Sequence, residues 1–167
     1  LNAIHDLIYK DNKVVAKAPW SSSGRGIRFL DDTLDEHTQG WLRNTLRHQG
    51  TVMIEPLYNK VMDFGMEFYR HPDGKVEYLG LSLFQTVNGA YTGNLLVTET
   101  VKRDILSRYI SLDDLDAFTS AACDYLGANL SYTGPFGIDM MALEGRRLAL
   151  AEINLRRTMG HVALAIS

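Results

Sequence analysis

The chain is 167 residues long, 46% hydrophobic and 22% charged, an ordinary globular composition that excludes disordered, collagen-like and fibrous classes. Seventeen basic against twenty acidic residues give a net charge of −3 with no concentrated basic face, so nucleic acid is not an expected partner. The single cysteine, Cys123, excludes an internal disulfide and a Cys-rich zinc site, which points to a reducing, cytoplasmic setting. No apolar run approaches the ~20 residues of a membrane span, and no membrane partner is expected.

The opening at Leu1 runs almost directly into an apolar stretch, VVAKA, and leads us to expect further polypeptide upstream. Residues 14–18 read as a strand, 21–26 as a Ser/Gly loop and 27–30 as a second strand. Thr33 with Glu36 three residues on forms a capping box, and Leu34, Trp41, Leu42 and Thr45 then recur at helical spacing until Gly50. Residues 51–55 (TVMIE) read as a buried strand that closes a first lobe, 1–55.

A second lobe, 56–167, opens with strands at 61–69 and 76–83 flanking the turn HPDG, a predicted hairpin. Residues 86–94, rich in Gly, Thr, Asn and Tyr, read as a loop. Ser111 with Asp114 caps a helix whose Leu112, Leu115, Phe118, Ala122 and Tyr125 line one face and which Gly127 is expected to end. Residues 136–143 and 148–153 read as paired strands around EGRR, and 161–166 as a final apolar segment. The predicted class is α+β, with antiparallel sheets in two lobes.

Two constellations carry chemistry. The segment from Lys17 through Ser21, Ser22, Ser23, Gly24, Arg25 and Gly26 to Ile27 offers backbone N–H groups and hydroxyls suited to phosphate oxygens. A Walker A loop is excluded, because its Lys follows the glycines and opens a helix. A Lys within so apolar a strand either meets a negative group or points outward from an edge strand. Near the C terminus, Glu152 and Asn154 alternate onto one side of a strand, Asp139 lies on its predicted partner, and Arg156 continues the alternation. Two carboxylates and an amide are hard oxygen donors of the kind magnesium takes; the alternative is a solvated strand face paired with Arg146 or Arg147. The five histidines show no zinc spacing, Cys123 sits among alanines as an inert thiol, and no nucleophile elbow or kinase signature is present.

In this order the residues resemble the ATP-grasp superfamily of carboxylate–amine and carboxylate–thiol ligases, from Val14 to about Leu164. Lys17-Ala18 and Gly24-Arg25-Gly26-Ile27-Arg28 resemble the lid strand and glycine-rich loop of its biotin carboxylase and carbamoyl-phosphate synthetase branches, and Glu152-Ile153-Asn154-Leu155-Arg156 resembles its magnesium and transition-state signature. The resemblance implies an ATP-grasp fold, two α+β lobes with nucleotide held between them. It implies that Lys17 contacts the α- and β-phosphates and that Ser22, Ser23, Gly24 and Gly26 close over the β- and γ-phosphates. Glu55, Pro56 and Tyr58 would form the hinge at the adenine edge, with the Pro56 carbonyl and the Tyr58 N–H as its contacts. Asp63 would reach the ribose, and Val15, Ile27 and Met141 would sandwich the purine.

By the same resemblance Asp139, Glu152 and Asn154 would hold magnesium, with manganese as a substitute, and Arg156 would steady the transferring phosphoryl group. Arg157 and the 86–94 loop would be substrate contacts. The implied function is ligation, in which ATP activates a carboxylate as an acylphosphate for attack by an amine or other nucleophile. The expected partners are ATP, a small carboxylate and an amine acceptor, together with an N-terminal domain of the same polypeptide; a homodimer stays open. That domain and a further upstream lysine are expected to be missing from these residues, so the isolated piece would bind weakly or not turn over. Two alternatives stand beside the ligase: a catalytically inactive nucleotide-binding or interaction module, and a biotin-carboxylase-like lobe acting on bicarbonate.

Overall fold

The computed structural model describes residues 13–21, 26–30, 34–87 and 90–167. Ser22, Ser23, Gly24 and the Thr33 half of the capping box lie outside the described residues. The chain divides into two compact units, 1–58 and 59–167.

In the first unit, β1 (Val14–Lys17) pairs antiparallel with β2 (Ile27–Leu30) on one side and β3 (Met53–Pro56) on the other. Alternation sends Val14, Ala16 and Leu30 to one face, where Leu34 and Leu42 with Trp41, Val52 and Ile54 complete a small core. Leu42 comes from α1 (Glu36–Gln49). The cap of α1 is Asp35, whose side chain accepts from the Thr38 backbone N–H, not Thr33: the nearer carboxylate reaches the orphan donor, and Glu36 follows directly in the first turn. Gly50 stops the helix in the left-handed region at φ 78°. Gly50→Ala is therefore expected to cost about 1–2 kcal/mol, the penalty of a β-carbon in that conformation, read as a lower midpoint in urea unfolding.

The second unit is built on a four-stranded antiparallel sheet ordered β5 (Val76–Ser82), β4 (Lys60–Arg70), β8 (Gly134–Leu143) and β9 (Arg147–Asn154). One face buries Phe64, Met66, Phe68, Phe136, Ile138, Met140 and Ala142, with Leu81, against Leu106, Ile110, Leu115 and Leu126. Those last residues come from α2 (Glu99–Ser107), α3 (Leu112–Asn129) and the segment joining them. The HPDG turn joins β4 to β5 as expected, with Lys75 N–H donating to Asp73 Oδ1.

Two sequence expectations are corrected here. Of the expected loop 86–94, residues 86–87 and 90–94 are strand: β6 (Phe84–Val87) and β7 (Ala90–Asn94) pair antiparallel, and Thr92 donates to the Gln85 carbonyl. Gly127 does not end α3, which runs on to Asn129. Gly127 is small for another reason, since a β-carbon there would press on the Gly74 carbonyl at 3.1 Å, and its own carbonyl accepts from Arg70 Nη2. The last apolar segment is α4 (Met159–Ala165), capped by Thr158. No helix among the described residues is long and apolar enough to cross a membrane.

Candidate functional site

Lys17 lies on β1, the central strand of its sheet, so the edge-strand reading is set aside. The register places Val15 beside Phe29 and Glu55, and Lys17 beside Ile27 and Met53, all on the sheet face opposite the α1 core. Lys17 Nζ meets Glu55 Oε2 at 2.6 Å, with both side chains partly exposed. Val15, Lys17, Ile27 and Glu55 therefore share one face, with Phe29 open at its edge. Gly26 is buried where the Ser/Gly loop returns: its carbonyl accepts from Ala18 N–H at 2.8 Å, and a β-carbon would collide with Ser21. Pro56 ends β3 and Tyr58 is the last residue of the unit. A depression of about 360 Å³ beside Trp20 and Trp41 lies on the α1 side and is lined by neither Lys17 nor Glu55.

In the second unit, alternation turns Asp63, Gly65 and Glu67 of β4 away from the large core, along with Gly137, Asp139 and Met141 of β8. The pairing Asp139↔Glu152 and Gly137↔Asn154 brings Glu152 and Asn154 onto the same face. Asn154 Nδ2 donates to Asp139 Oδ2 at 3.0 Å, and Arg156 Nη2 donates to Asn154 Oδ1 at 3.2 Å. Asp139, Asn154 and Arg156 are thus linked by hydrogen bonds, with Glu152 beside Asp139 in strand register. The alternative partners go elsewhere: Arg146 donates to the carbonyls of Ser107 and Ile110, and Arg147 to that of Glu144. Arg157 is exposed, and Asp63 is held by Lys60 at 2.6 Å and Thr86 at 3.3 Å.

Burial pushes the Asp139 carboxyl up to about 6, and the neighbouring charges of Glu152 and Glu67 push the same way. The Asn154 hydrogen bond and Arg156 oppose the rise only partly. A carboxylate crowded by two others in a half-dry setting is what a bound cation would relieve. Among the described residues no three His, Cys, Asp or Glu side chains form a metal cluster. The two carboxylates and one amide here suit magnesium only with water and phosphate oxygens completing its shell.

Sequence reasoning missed Glu67, Ser82, Thr158 and His161. Glu67 and His161 are nearly fully buried and meet at 2.9 Å. The one signal was a carboxylate in the middle of the apolar run FGMEF.

No family model and no curated protein matches the chain. Solved structures do match. N5-carboxyaminoimidazole synthetase from Staphylococcus aureus, complexed with ADP, is similar at TM-score 0.69 and 12% identity over 96% of this chain and 39% of its own. The biotin carboxylase domain of Hydrogenobacter thermophilus 2-oxoglutarate carboxylase, in complex with MgADP, ADP and bicarbonate, gives 0.68 and 17% over 96% and 35%. D-alanyl-alanine synthetase A from Vibrio cholerae gives 0.60 and 13% over 92% and 44%. The chain has the ATP-grasp fold and spans less than half the length of these proteins.

Proposed function

We propose that this chain is the nucleotide-binding part of an ATP- and magnesium-dependent ligase that activates a carboxylate as an acylphosphate for attack by an amine. The observation that carries the reading is that Asp139, Glu152 and Asn154 share one sheet face, with Arg156 of the following loop bonded to Asn154, within an ATP-grasp fold. Asp139, Glu152 and Asn154 would hold magnesium, which supplies charge neutralisation at the phosphate oxygens. Lys17, with Gly26 and the serine loop, would hold the phosphates; Val15, Ile27 and Met141 would face the purine; Glu55, Pro56, Tyr58 and Asp63 would hold the adenine and ribose.

In the first step a carboxylate oxygen of the substrate bonds to the γ-phosphorus and the bond to the β,γ-bridging oxygen breaks, releasing ADP. In the second, the amine bonds to the acyl carbon, phosphate leaves, and the nitrogen loses a proton. Arg156 would balance negative charge on the phosphoryl oxygens during transfer, so that positioning and electrostatics do the catalysis without a protein nucleophile. Bicarbonate as the carboxylate is the second reading, favoured by the neighbour that binds bicarbonate with MgADP. An N-terminal domain of the same polypeptide would carry the rest of the acceptor site in a cytoplasmic enzyme.

Saturating Mg-ATP is expected to raise the melting temperature by about 5–10 °C, the effect of ligand near 100 times its Kd on a chain of this size. Glu152→Ala should remove that shift. A shift that survives the substitution rules out the site. In the longer protein, ADP release that depends on an added carboxylic acid separates ligase from inert binder, and bicarbonate belongs in the same panel.

A further inference from the structure

We infer that the buried Glu67–His161 pair is a positioning device that fixes the loop carrying Arg156 against the sheet face bearing Asp139 and Glu152; the inference deepens the nucleotide-site reading above and rests on it. Only Leu155, Arg156 and Arg157 separate Asn154, the last residue of β9, from Thr158, the cap of α4. Both ends of this short loop are tied. At the first, Asn154 is in register with Gly137, bonds Asp139, and accepts from Arg156 N–H through its carbonyl at 2.8 Å.

At the second, Thr158 Oγ1 donates to Glu67 Oε2 at 2.7 Å and accepts from the N–H groups of Gly160 and His161. His161 Nδ1 lies 2.9 Å from the same Glu67 oxygen, and Ser82 Oγ donates to Oε1 at 2.7 Å. His161 Nε2 donates to the Phe68 carbonyl at 3.2 Å, because a carbonyl only accepts. In the neutral ring Nδ1 is then the acceptor and takes the Thr158 backbone N–H at 3.2 Å, closing the cap of α4, while a protonated ring would donate from Nδ1 to Glu67. One carboxylate thus ties a neighbouring strand and a helix cap together, and His161 packs against it while holding the same cap through the Thr158 N–H.

The backbone is shaped around that carboxylate. A β-carbon at Gly160 would overlap it, one at Gly137 would sit 2.8 Å from Oε2, and one at Gly65 would sit 3.0 Å from Oε1. Three elements are glycine where they approach it, so α4 docks against β5 and β4 in one arrangement only. Hydrophobic burial does not explain this. A buried polar pair of this kind is weak support for stability, since well-packed apolar residues of similar volume commonly do as well, and its attested use is to select one geometry. The geometry selected here is that of Arg156, two residues beyond Asn154 and two before Thr158.

The test replaces the pair by apolar residues of similar size, Glu67→Met with His161→Leu, and measures Mg-ATP affinity below the melting temperature alongside nucleotide-free stability. The positioning role expects a fold that melts within a few degrees of the parent but binds Mg-ATP at least tenfold more weakly. His161→Asn, whose amide stands near Nδ1, should keep most of the affinity that the apolar pair loses. Unchanged affinity in the folded double variant overturns the inference. Should that variant not fold, Thr158→Val takes its place, and unchanged affinity there overturns it equally. Failure of the nucleotide reading would show differently, as a parent chain that does not bind Mg-ATP. The inference is then read from the Arg156 side-chain 15Nε resonance, expected to move in the variants and, if it stays put, fatal to the positioning role.

Discussion

Asp139→Asn is expected to raise the melting temperature of the nucleotide-free chain while abolishing stabilisation by Mg-ATP. The Asp139 carboxyl is pushed up to about 6 from an ordinary 3.8 by burial and by Glu152 and Glu67. A carboxyl raised on folding is held more tightly as the neutral acid in the folded chain, so its contribution is fully present below the unfolded value and is lost as pH rises from about 4 through about 6. At pH 7 the ionised group therefore costs roughly 1–3 kcal/mol, which the neutral amide does not incur. The amide oxygen still accepts from Asn154 Nδ2, so the β8–β9 contact is kept.

The gain in melting temperature should be about 2–4 °C per kcal/mol for a chain of this length. Calorimetry at pH 7 and pH 5 checks the cause, because the advantage of the amide must shrink at pH 5, where the parent carboxyl is largely protonated. An advantage that is absent at pH 7, or equal at both, removes electrostatic crowding as the explanation. The opposite signs of the two effects, more stable without ligand and unresponsive with it, separate a binding carboxylate from a structural one.

Where the structure follows the sequence reading, the determinants are local. The HPDG turn, the Ser111 cap, the Gly50 stop and the period-two strands each act within a few residues of the chain, and each appears as expected. Glu152 and Asn154 on one side of β9 follow from alternation alone. Departures come from contacts that cross the chain. Gly127 reads as a helix stop by type, but its smallness serves the approach of the Gly74 carbonyl from the hairpin turn. Residues 86–94 have loop composition and still pair, through the register Thr86↔Tyr91 and the packing of Phe84 on Tyr91. Helix α2 was not read at all; it presents a buried Lys102 beside Leu106 and takes Glu99 back to the Leu81 N–H.

The candidate site divides along the same line. Asp139, Glu152 and Asn154 were legible because adjacent strands bring them together. The buried carboxylate behind them was not, since Glu67 and Thr158 are 91 residues apart and no spacing rule joins them. Lys17 was legible as a cation in an apolar strand, but its partner Glu55, 38 residues on, was not.

Lys17→Met is expected to weaken Mg-ATP and ADP binding by about 10–150-fold, the loss of one charge-assisted hydrogen bond of roughly 1.5–3 kcal/mol, with little change in stability. The stability half follows from the geometry. The 2.6 Å Lys17–Glu55 pair is partly open to solvent, where such pairs contribute at most about 1 kcal/mol. Methionine keeps the aliphatic stem on a face already lined by Val15, Ile27 and Met53. The binding half is a proposal about phosphate, so it has its own control. Adenosine has no phosphate, and its affinity, read by displacement of a fluorescent nucleotide, should be the same in parent and variant. Equal losses for adenosine and ADP would assign Lys17 to the shape of the lid sheet instead. No loss for either would leave the amine as Glu55's partner alone, and the phosphate site would have to be rebuilt without it.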